Sequence, residues 1–426
     1  MPVAPRPAAL APIAIATFLT LVPLTLLVPA LTELVVDRHG GSRLEAHLFV
    51  ALNQLAGIVA VPIAMRWHRR LGSTRGWVIA LLALDAVAFL GMWRADSLAA
   101  LFAWRALDGV AHLPALTFLM IAANRAGGAR RGASLGLVAT ALMFGVGVGL
   151  PTGGILAARD PLLVYPVGMV LLGVAALAAI GVPRVAESGA PFRAADASGE
   201  SGAGSATAVR SPEEAATHPP PSRYRWDRSD AASWMPLVYG FADRFLIGVF
   251  SSSFAIFLAE QHGVGVRERG MLMGLFLLPF ALLNWPAGRL ADRFGWFRLI
   301  IVGNVGFGLV YATYGLLPLP WLPVAMVLSG TLSALMFSPS LVLVSEFARR
   351  GVGDGLFGAF QVAGSFGFLA GPVVGGLLVE MLRDAADTPR WAAIFASVGI
   401  TLVVLGLVSA RILGRLDARW RAEEVR

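Results

Sequence analysis

The chain has 426 residues, of which 57% are hydrophobic and only 14% are charged, and its mean hydropathy is +0.72. Because a soluble domain carries about 25% charged residues, this composition excludes both an ordinary soluble enzyme and a disordered chain. The net charge is +8, and cysteine is absent, which excludes disulfides, thiolate metal sites and a cysteine nucleophile.

Twelve apolar runs follow one another along the chain, divided by short polar segments. Each run is long enough to cross a hydrocarbon core of about 30 Å as a helix. None shows the strand-like alternation of a membrane β-barrel. The sequence therefore predicts an all-α integral membrane protein with twelve transmembrane helices, at about 9–35, 46–66, 75–93, 98–123, 133–158, 162–182, 233–259, 270–290, 298–317, 321–345, 355–380 and 391–411.

The arginines test this map, because cytoplasmic loops of membrane proteins collect positive charge. All 34 basic residues are arginine; 18 lie on the side of the two termini and 8 on the other, with six in a central segment and two inside spans. This asymmetry predicts that both termini are cytoplasmic. It also explains the net charge by membrane topology, so we do not expect nucleic-acid binding.

Residues 184–231 interrupt the apolar pattern with serine, alanine, glycine, proline and scattered charge. Such a composition cannot bury enough apolar surface to fold alone. We interpret this segment as a flexible cytoplasmic linker between an N-terminal six-helix bundle (1–183) and a C-terminal one (232–426). A plain tether is favoured over a regulatory or partner-binding role.

The two halves repeat at an offset of about 222 residues. The fifth and eleventh spans carry glycines at matching spacings, with a proline displaced by one residue: Gly136, Gly145, Gly149, Pro151, Gly153 and Gly154 against Gly358, Gly367, Gly371, Pro372, Gly375 and Gly376. The loops after the second and eighth spans also match, with Arg70, Gly72 and Arg75 against Arg293, Gly295 and Arg298. Two halves of the same orientation predict parallel repeats around an axis along the membrane normal.

These motifs resemble those of the major facilitator superfamily of transporters. The loop Gly288-x-x-x-Asp292-Arg293-x-Gly295-x-x-Arg298 is similar to the loop signature of that family, and Arg105-Ala-Leu-Asp108-Gly109 is similar to its Arg-x-x-Gln-Gly element. The glycine ladders resemble those of drug/proton antiporters. The resemblance implies alternating access, with the first and fourth helices of each half lining a central cavity.

Two departures from the family pattern stand out. In the N-terminal copy of the loop, Met65 replaces the first glycine and Arg69 replaces the aspartate, so one gating latch is expected to be weakened. Asp108 replaces glutamine and adds an ionisable group to the fourth span. We expect the loop to gate the halves through charge pairs at helix ends, and the glycines to allow close helix contact. Tight packing alone also explains the ladders.

Ionisable side chains are costly inside a membrane and therefore need a reason. Arg105, Asp108 and His112 lie on one face of the fourth span. The apolar interior favours the protonated acid, whereas Arg105 favours the carboxylate, and this competition suits a proton carrier. The alternatives are a structural Arg–Asp pair with a silent His112, and a direct substrate contact.

In the seventh span, Asp243 and Arg244 are adjacent, so their side chains are expected to point about 100° apart. Asp243 is the second candidate for proton coupling, and Arg244 could hold an anionic substrate group, with an interhelical salt bridge as the equal alternative. We expect Asp85, in the third span, to pair with a nearby arginine.

Further candidates for the substrate cavity are aromatic, amide or acidic residues within or near the ends of spans. For the amides, interhelical hydrogen bonding is the default role. Glu33 lies near the end of a span, where a carboxylate costs little and usually has no special role. The set comprises Tyr239, Phe241, Trp104, Asn53, Gln54, Asn284, Gln361 and Glu33.

The sequence thus predicts a secondary active transporter that exports a small hydrophobic or amphipathic molecule in exchange for protons. The alternatives are a transporter of a polar metabolite, such as a sugar, amino acid or siderophore, and a non-transporting scaffold or sensor. We expect no enzyme activity, no cofactor and no metal, because no catalytic constellation occurs and a chain without lysine cannot form the lysine-containing phosphate loop. We expect a monomer in the inner membrane of a bacterium, with lipid, substrate and protons as its partners.

Overall fold

The computed structural model describes residues 10–71, 73–126, 131–183, 226–347, 350, 352 and 355–424. Across those residues the chain forms twelve long helices and no strand. The helices are α1 (Ala11–Leu26), α2 (Arg43–Leu71), α3 (Thr74–Arg94), α4 (Leu98–Ala126), α5 (Arg131–Ala157), α6 (Val164–Ala178), α7 (Ala231–His262), α8 (Val266–Phe294), α9 (Trp296–Thr313), α10 (Leu322–Phe347), α11 (Gly355–Met381) and α12 (Asp387–Glu424).

Each predicted span coincides with one of these helices. Eleven helical segments among the described residues are long and apolar enough to cross a membrane, and α8, at the predicted eighth span, has 29 residues. The chain is therefore a multi-pass membrane protein with the predicted all-α fold. The last span differs from its prediction, because α12 continues beyond residue 411 to Glu424 and makes most of the arginine-rich tail helical. The predicted linker lies mainly outside the described residues.

Successive helices run in opposite directions, so the bundle has two ends. We call the end that carries the α1–α2, α3–α4, α5–α6, α7–α8, α9–α10 and α11–α12 connections the loop end, and the other the termini end. Helices α1–α6 pack mainly on one another, as do α7–α12, and two seams join these halves: α2 against α11 and α5 against α8.

The glycine ladders make this packing close. In α5, Gly145, Gly149 and Gly153 face α1, where a methyl group would collide with α1 atoms; at Gly145 it would lie 2.7 Å from the Phe18 carbonyl oxygen. In α11, Gly367, Gly371 and Gly375 face α7 in the same way. The next glycine of each ladder meets the opposite half: Gly154 packs on α8 and Gly376 on α2. Gly136 and Gly358 lie in helices, but their surroundings fall outside the described residues.

The displaced prolines face different neighbours. Pro151 lies against Gly274 of α8, in the other half, with a separation of 3.4 Å from a Cβ built there. Pro372 lies against Gly248 of α7, in its own half, with a corresponding separation of 2.8 Å. A shift of one residue turns a side chain by about 100° around a helix, which accounts for the difference.

Two helices lose their α-helical regularity near the loop end. After α1, a short 3-10 turn leads into a π-helical segment, Thr32–Asp37, and α7 contains a π-helical segment, Phe250–Phe254. Such π segments are rare and occur frequently at functional sites. Each lies in the first helical span of its half.

The C-terminal extension of α12 packs under the second half at the termini end. Trp420 is buried, with its ring centre 5.9 Å from that of Trp296 and 5.1 Å from that of Phe347. The Arg350 guanidinium lies 4.6 Å from the Trp420 ring centre. One side chain therefore ties the end of α12 to the start of α9 and to the segment after α10.

We predict that Trp420→Ala destabilises the protein by about 3–5 kcal/mol, the usual cost of truncating a buried aromatic residue. The melting temperature in detergent should fall, and limited proteolysis should remove the end of α12 first. The matched control is Arg415→Ala, an exposed position on the same extension. Equal melting temperatures for Trp420→Ala and wild type would contradict this role.

Candidate functional site

The most concentrated buried charge lies where α3 and α4 meet. Arg105 and Asp108 form an ion pair on α4, as their spacing of three residues allows. The Arg105 Nε donates to the carbonyl oxygen of Phe49 at 3.2 Å, and its guanidinium lies 4.8 Å from the Phe49 ring centre. Two helices thus hold the guanidinium in place.

Asp85 and His112 complete this cluster. His112 Nδ1 lies 3.1 Å from Asp85 Oδ2, and ligand atoms of Asp85, Asp108 and His112 all lie within 4.8 Å of one another. Asp85 therefore pairs with a histidine rather than with the arginine that we expected, because α3 faces His112 one turn further along α4 than Asp108. We call these four residues the α3–α4 charge cluster.

The α3–α4 charge cluster is sealed from solvent. All four residues are at most 2% exposed. Within the described part of the chain, Oδ1 of Asp85, Oδ1 of Asp108 and Nε2 of His112 are buried without a hydrogen-bond partner. Buried polar atoms are normally satisfied, so three unsatisfied atoms within one cluster indicate a place where a proton or small ion could bind.

The second predicted pair lies on α7. Asp243 is buried, and its Oδ2 lies 3.4 Å from Arg244 Nε. We expected the two side chains to point apart; instead, the long arginine side chain folds back towards its neighbour. Arg244 remains 28% exposed and reaches towards α10 and α11, with its guanidinium 5.7 Å from the Phe337 ring centre and Nη2 3.5 Å from Gln361 Oε1.

The cavity candidates separate into two groups. Tyr239 is wholly buried in the core of the second half, and Trp104 packs on Gly91 of α3, so the structure places neither of them towards the opposite half. The sequence could not show which face of α4 or α7 lies towards the cavity, because apolar residues occur all around both helices. Phe241 is exposed and stacks on Phe245, and Gln361 is also exposed.

Asn284 and Gln361 contact other helices, as the default role of amides predicts, whereas Gln54 contacts Asn53 within α2. Ser338 Oγ of α10 donates to Asn284 Oδ1 of α8 at 2.8 Å. Gln54 Nε2 donates to Asn53 Oδ1 at 3.4 Å, while Asn53 Nδ2 is buried without a partner among the described residues.

Among the described residues, the polar contacts between the halves lie at the loop end. Glu33, in the first π segment, forms an ion pair with Arg269 of α8, so it is a partner across the interface rather than a bland span end. Glu260 of α7 pairs with Arg43 of α2 and, at 2.8 Å, with Arg390 of α12. Arg269 and Arg390 lie one residue outside the predicted spans, yet both are inside helices and are buried.

A third contact is neutral. His47 Nε2 of α2 lies 3.0 Å from Ser253 Oγ, in the second π segment. His47 and Arg269 are 222 residues apart and therefore occupy equivalent positions in the repeat. One interface thus joins a π segment to arginine and the other joins a π segment to histidine. That equivalence is the sequence signal that could have drawn attention to both residues.

The predicted gating loop is partly described. Gly295, with φ of +90°, is the single residue between α8 and α9, a conformation that favours glycine. Arg293 and Arg298 are exposed and lie near the rings of Phe294 and Phe297, Arg75 is half-buried, and Gly288 has open space around it. Gly72 and the side chains of Arg70 and Asp292 lie outside the described residues, so the gating role stays a prediction.

Comparison with known proteins adds a family and a fold. The family model of the Major Facilitator Superfamily matches residues 13–242 and 237–423. The puromycin resistance protein of Streptomyces alboniger is 30% identical over 191 residues, 44% of this chain and 36% of that protein. The tetracenomycin C resistance and export protein of Streptomyces glaucescens is 33% identical over 137 residues, 31% of this chain and 24% of that protein. The aligned part thus spans about a third of the first relative and about a quarter of the second.

Among solved structures, the chain resembles a bacterial homologue of the human lysosomal transporter Spinster, in an inward-facing and unoccupied conformation. The TM-score is 0.73 at 13% identity, over 98% of this chain and 99% of that one. At this identity the likeness shows the fold alone.

We predict that Arg105→Gln destabilises the protein by about 3–5 kcal/mol, because it leaves the buried Asp108 charge without its partner. The double variant Arg105→Gln/Asp108→Asn should recover much of that loss, since it removes both charges. Melting temperatures in detergent measure both effects, and Arg383→Gln, in an exposed ion pair with Glu380, serves as the control. Additive losses in the double variant would show that the two charges are not coupled.

Proposed function

Since the chain belongs to the major facilitator superfamily, we propose that it is a secondary active transporter that exports a small hydrophobic or amphipathic organic molecule in exchange for protons. The family consists of transporters rather than enzymes. Substrate would bind between an N-terminal bundle (1–183) and a C-terminal bundle (232–426), tethered by the intervening linker.

The observation that carries this proposal is the position of the contacts between the halves. Three polar contacts join described residues of the two halves, Glu33–Arg269, Arg43–Glu260 and His47–Ser253, and all three lie at the loop end. There the ladders also bring Gly154 against α8 and Gly376 against α2. A bundle held together at one end can open at the other, which alternating access requires.

The arginine distribution gives this arrangement a direction. With cytoplasmic termini, the loop end faces outwards, and a bundle joined there opens towards the cytoplasm. An exporter in this state would load its substrate from the cell interior. We place the chain, as a monomer, in the inner membrane of a bacterium.

Proton coupling is supported by buried acids on helices that the family places beside the cavity. Asp108 on α4 and Asp243 on α7 are both buried, and each has one arginine beside it. The proton would bind these carboxylates in one conformation and leave in the other, because the surroundings of a buried acid differ between the two. Arg105 would tune Asp108, and Arg244, which is partly exposed, would contact an anionic group of the substrate.

The apolar character of the substrate is supported by two lines. Phe241 and Phe245 stack beside Arg244 on α7 and offer an aromatic surface. The relatives described above are named for resistance to, or export of, puromycin and tetracenomycin C. We choose those two compounds as probes because their names are carried by proteins similar to this one.

The test is a substrate-driven pH change in proteoliposomes that contain a pH-sensitive dye. For a probe that stabilises the purified protein in a thermal-shift screen, wild type should exchange probe for protons. Asp108→Asn combined with Asp243→Asn should reduce coupled flux by about tenfold or more, in the range of measured coupling free energies. Asp384→Asn, in an exposed loop, is the matched control.

Coupled flux that survives in the double variant would refute the assignment of the proton to these acids. If only sugars, amino acids or siderophores stabilise the protein and are moved, the transporter of a polar metabolite replaces the exporter. If no compound of a broad panel is moved and a partner protein co-purifies, the scaffold or sensor function replaces both.

A further inference from the structure

We propose that Asp85 and Asp108 together form a single proton-binding site, in which one proton is shared between two carboxylates on different helices. This inference rests on the proposed proton coupling and makes it more specific, because it adds a residue of α3, which the family resemblance treats as a supporting helix. It also predicts how many protons the N-terminal half holds.

The groups around the two acids come from three helices. Helix α4 supplies the Arg105 charge and the His112 ring, and α2 supplies the Phe49 carbonyl oxygen and ring to Arg105. Helix α6 supplies Tyr165, a buried phenol that interacts electrostatically with Arg105. Helix α1 contains no titratable residue, and α5 contains only Arg131, at its first position.

The charge of the cluster fixes the number of protons. Arg105 is positive and is held by Asp108 and by Phe49, while both carboxylates can be negative. Nε2 of His112 has no acceptor among the described residues, so a charged imidazole would leave a buried N–H unsatisfied. With His112 neutral for that reason, the cluster carries one uncompensated negative charge in a sealed apolar site, which is strongly unfavourable. One added proton makes the cluster neutral. Because the acids interact closely, the proton belongs to the pair and not to one residue.

The two unpartnered carboxylate oxygens support a proton bound between the acids. Oδ1 of Asp85 and Oδ1 of Asp108 are buried without a hydrogen-bond partner among the described residues. One carboxylate oxygen of Asp85 lies within 4.8 Å of one carboxylate oxygen of Asp108. A proton on one carboxyl supplies the donor that two facing carboxylates lack. Ca²⁺ fits less well, because it takes six to eight oxygen ligands and the Arg105 charge already engages Asp108.

The cluster is also connected to the interface between the halves. Gly109, the residue after Asp108, packs on the backbone carbonyl of Asn53 in α2 so closely that no side chain fits between them. The loop end of the same α2 carries Arg43 and His47, which contact the opposite half. A change of charge at the cluster therefore acts on a helix that takes part in closing the loop end.

The experiment is infrared spectroscopy of the purified protein between pH 5 and pH 9, following the carbonyl band of a protonated carboxylic acid. It uses an Asp243→Asn background, which removes the other candidate acid. In this background we expect one titrating band. Asp85→Asn and Asp108→Asn should each abolish it, because either change leaves one aspartate against Arg105 and makes the cluster neutral without a proton.

The matched control is Asp96→Asn, an exposed aspartate in the connection between the same two helices, which should keep the band. Asp85→Glu should also keep a band at a shifted frequency, which tests the site even if Asp85→Asn folds poorly. The proposal is overturned if Asp85→Asn retains the band of the background protein, if that protein shows no band, or if NaCl at constant ionic strength removes it, which would assign the site to an alkali cation.

This readout needs no substrate. A shared proton detected in a protein that shows no pH-driven transport would refute the antiporter function and leave the proton site intact. Normal proton-coupled transport by Asp85→Asn would refute the shared site and leave the antiporter function intact.

Discussion

The constraint on which this structure depends is that a charge inside an apolar bundle must have a partner. Four arginines of the described chain are nearly inaccessible, Arg105, Arg269, Arg350 and Arg390, and each lies beside at least one carboxylate. Arg105 pairs within one helix and Arg269 pairs across the two halves. The first arrangement keeps an ion pair inside one bundle, and the second is lost whenever the halves separate at the loop end.

The two equivalent seams between the halves differ in how they meet this constraint. At equivalent positions, Arg269 meets the acid Glu33, whereas His47 meets the hydroxyl of Ser253. The glycine contacts beside them are nearly symmetrical, with Gly154 on α8 and Gly376 on α2. Shape complementarity therefore holds both seams, while the buried ion pair belongs to one. Separating the seam at α8 exposes an arginine and a carboxylate, which water must then solvate.

The fold could be predicted from the sequence because hydrophobic length and the arginine distribution are properties of the chain alone. The helix bounds differ from the predicted spans mainly at α12, where Trp420 and Arg350 extend the helix by tertiary packing. The site could be predicted only in part. Spacing placed Arg105, Asp108 and His112 on one face, but only the packing of α3 against α4 reveals Asp85 as their neighbour.

The ionic contacts between the halves could not be predicted from the sequence either, because their partners meet only in the tertiary structure. Arg269 and Glu33 are 236 residues apart, and each lies near the end of a span, where a charged residue needs no explanation. The π segments that present Glu33 and Ser253 have no sequence pattern comparable to the period of a helix. Residue pairs that meet only in the tertiary structure set the contacts on which the proposed motion depends.

The most direct test of the account is a pair of distance measurements with spin labels, which the absence of native cysteine simplifies. One pair, Arg159→Cys with Asp384→Cys, spans the two halves at the loop end, and the other, Arg66→Cys with Ala418→Cys, spans them at the termini end. Glu33→Gln deprives the buried Arg269 of its charge partner and should shift the population towards the state open at the loop end. This change should lengthen the loop-end distance and shorten the termini-end distance together. Unchanged distances, or distances that lengthen at both ends, would contradict it.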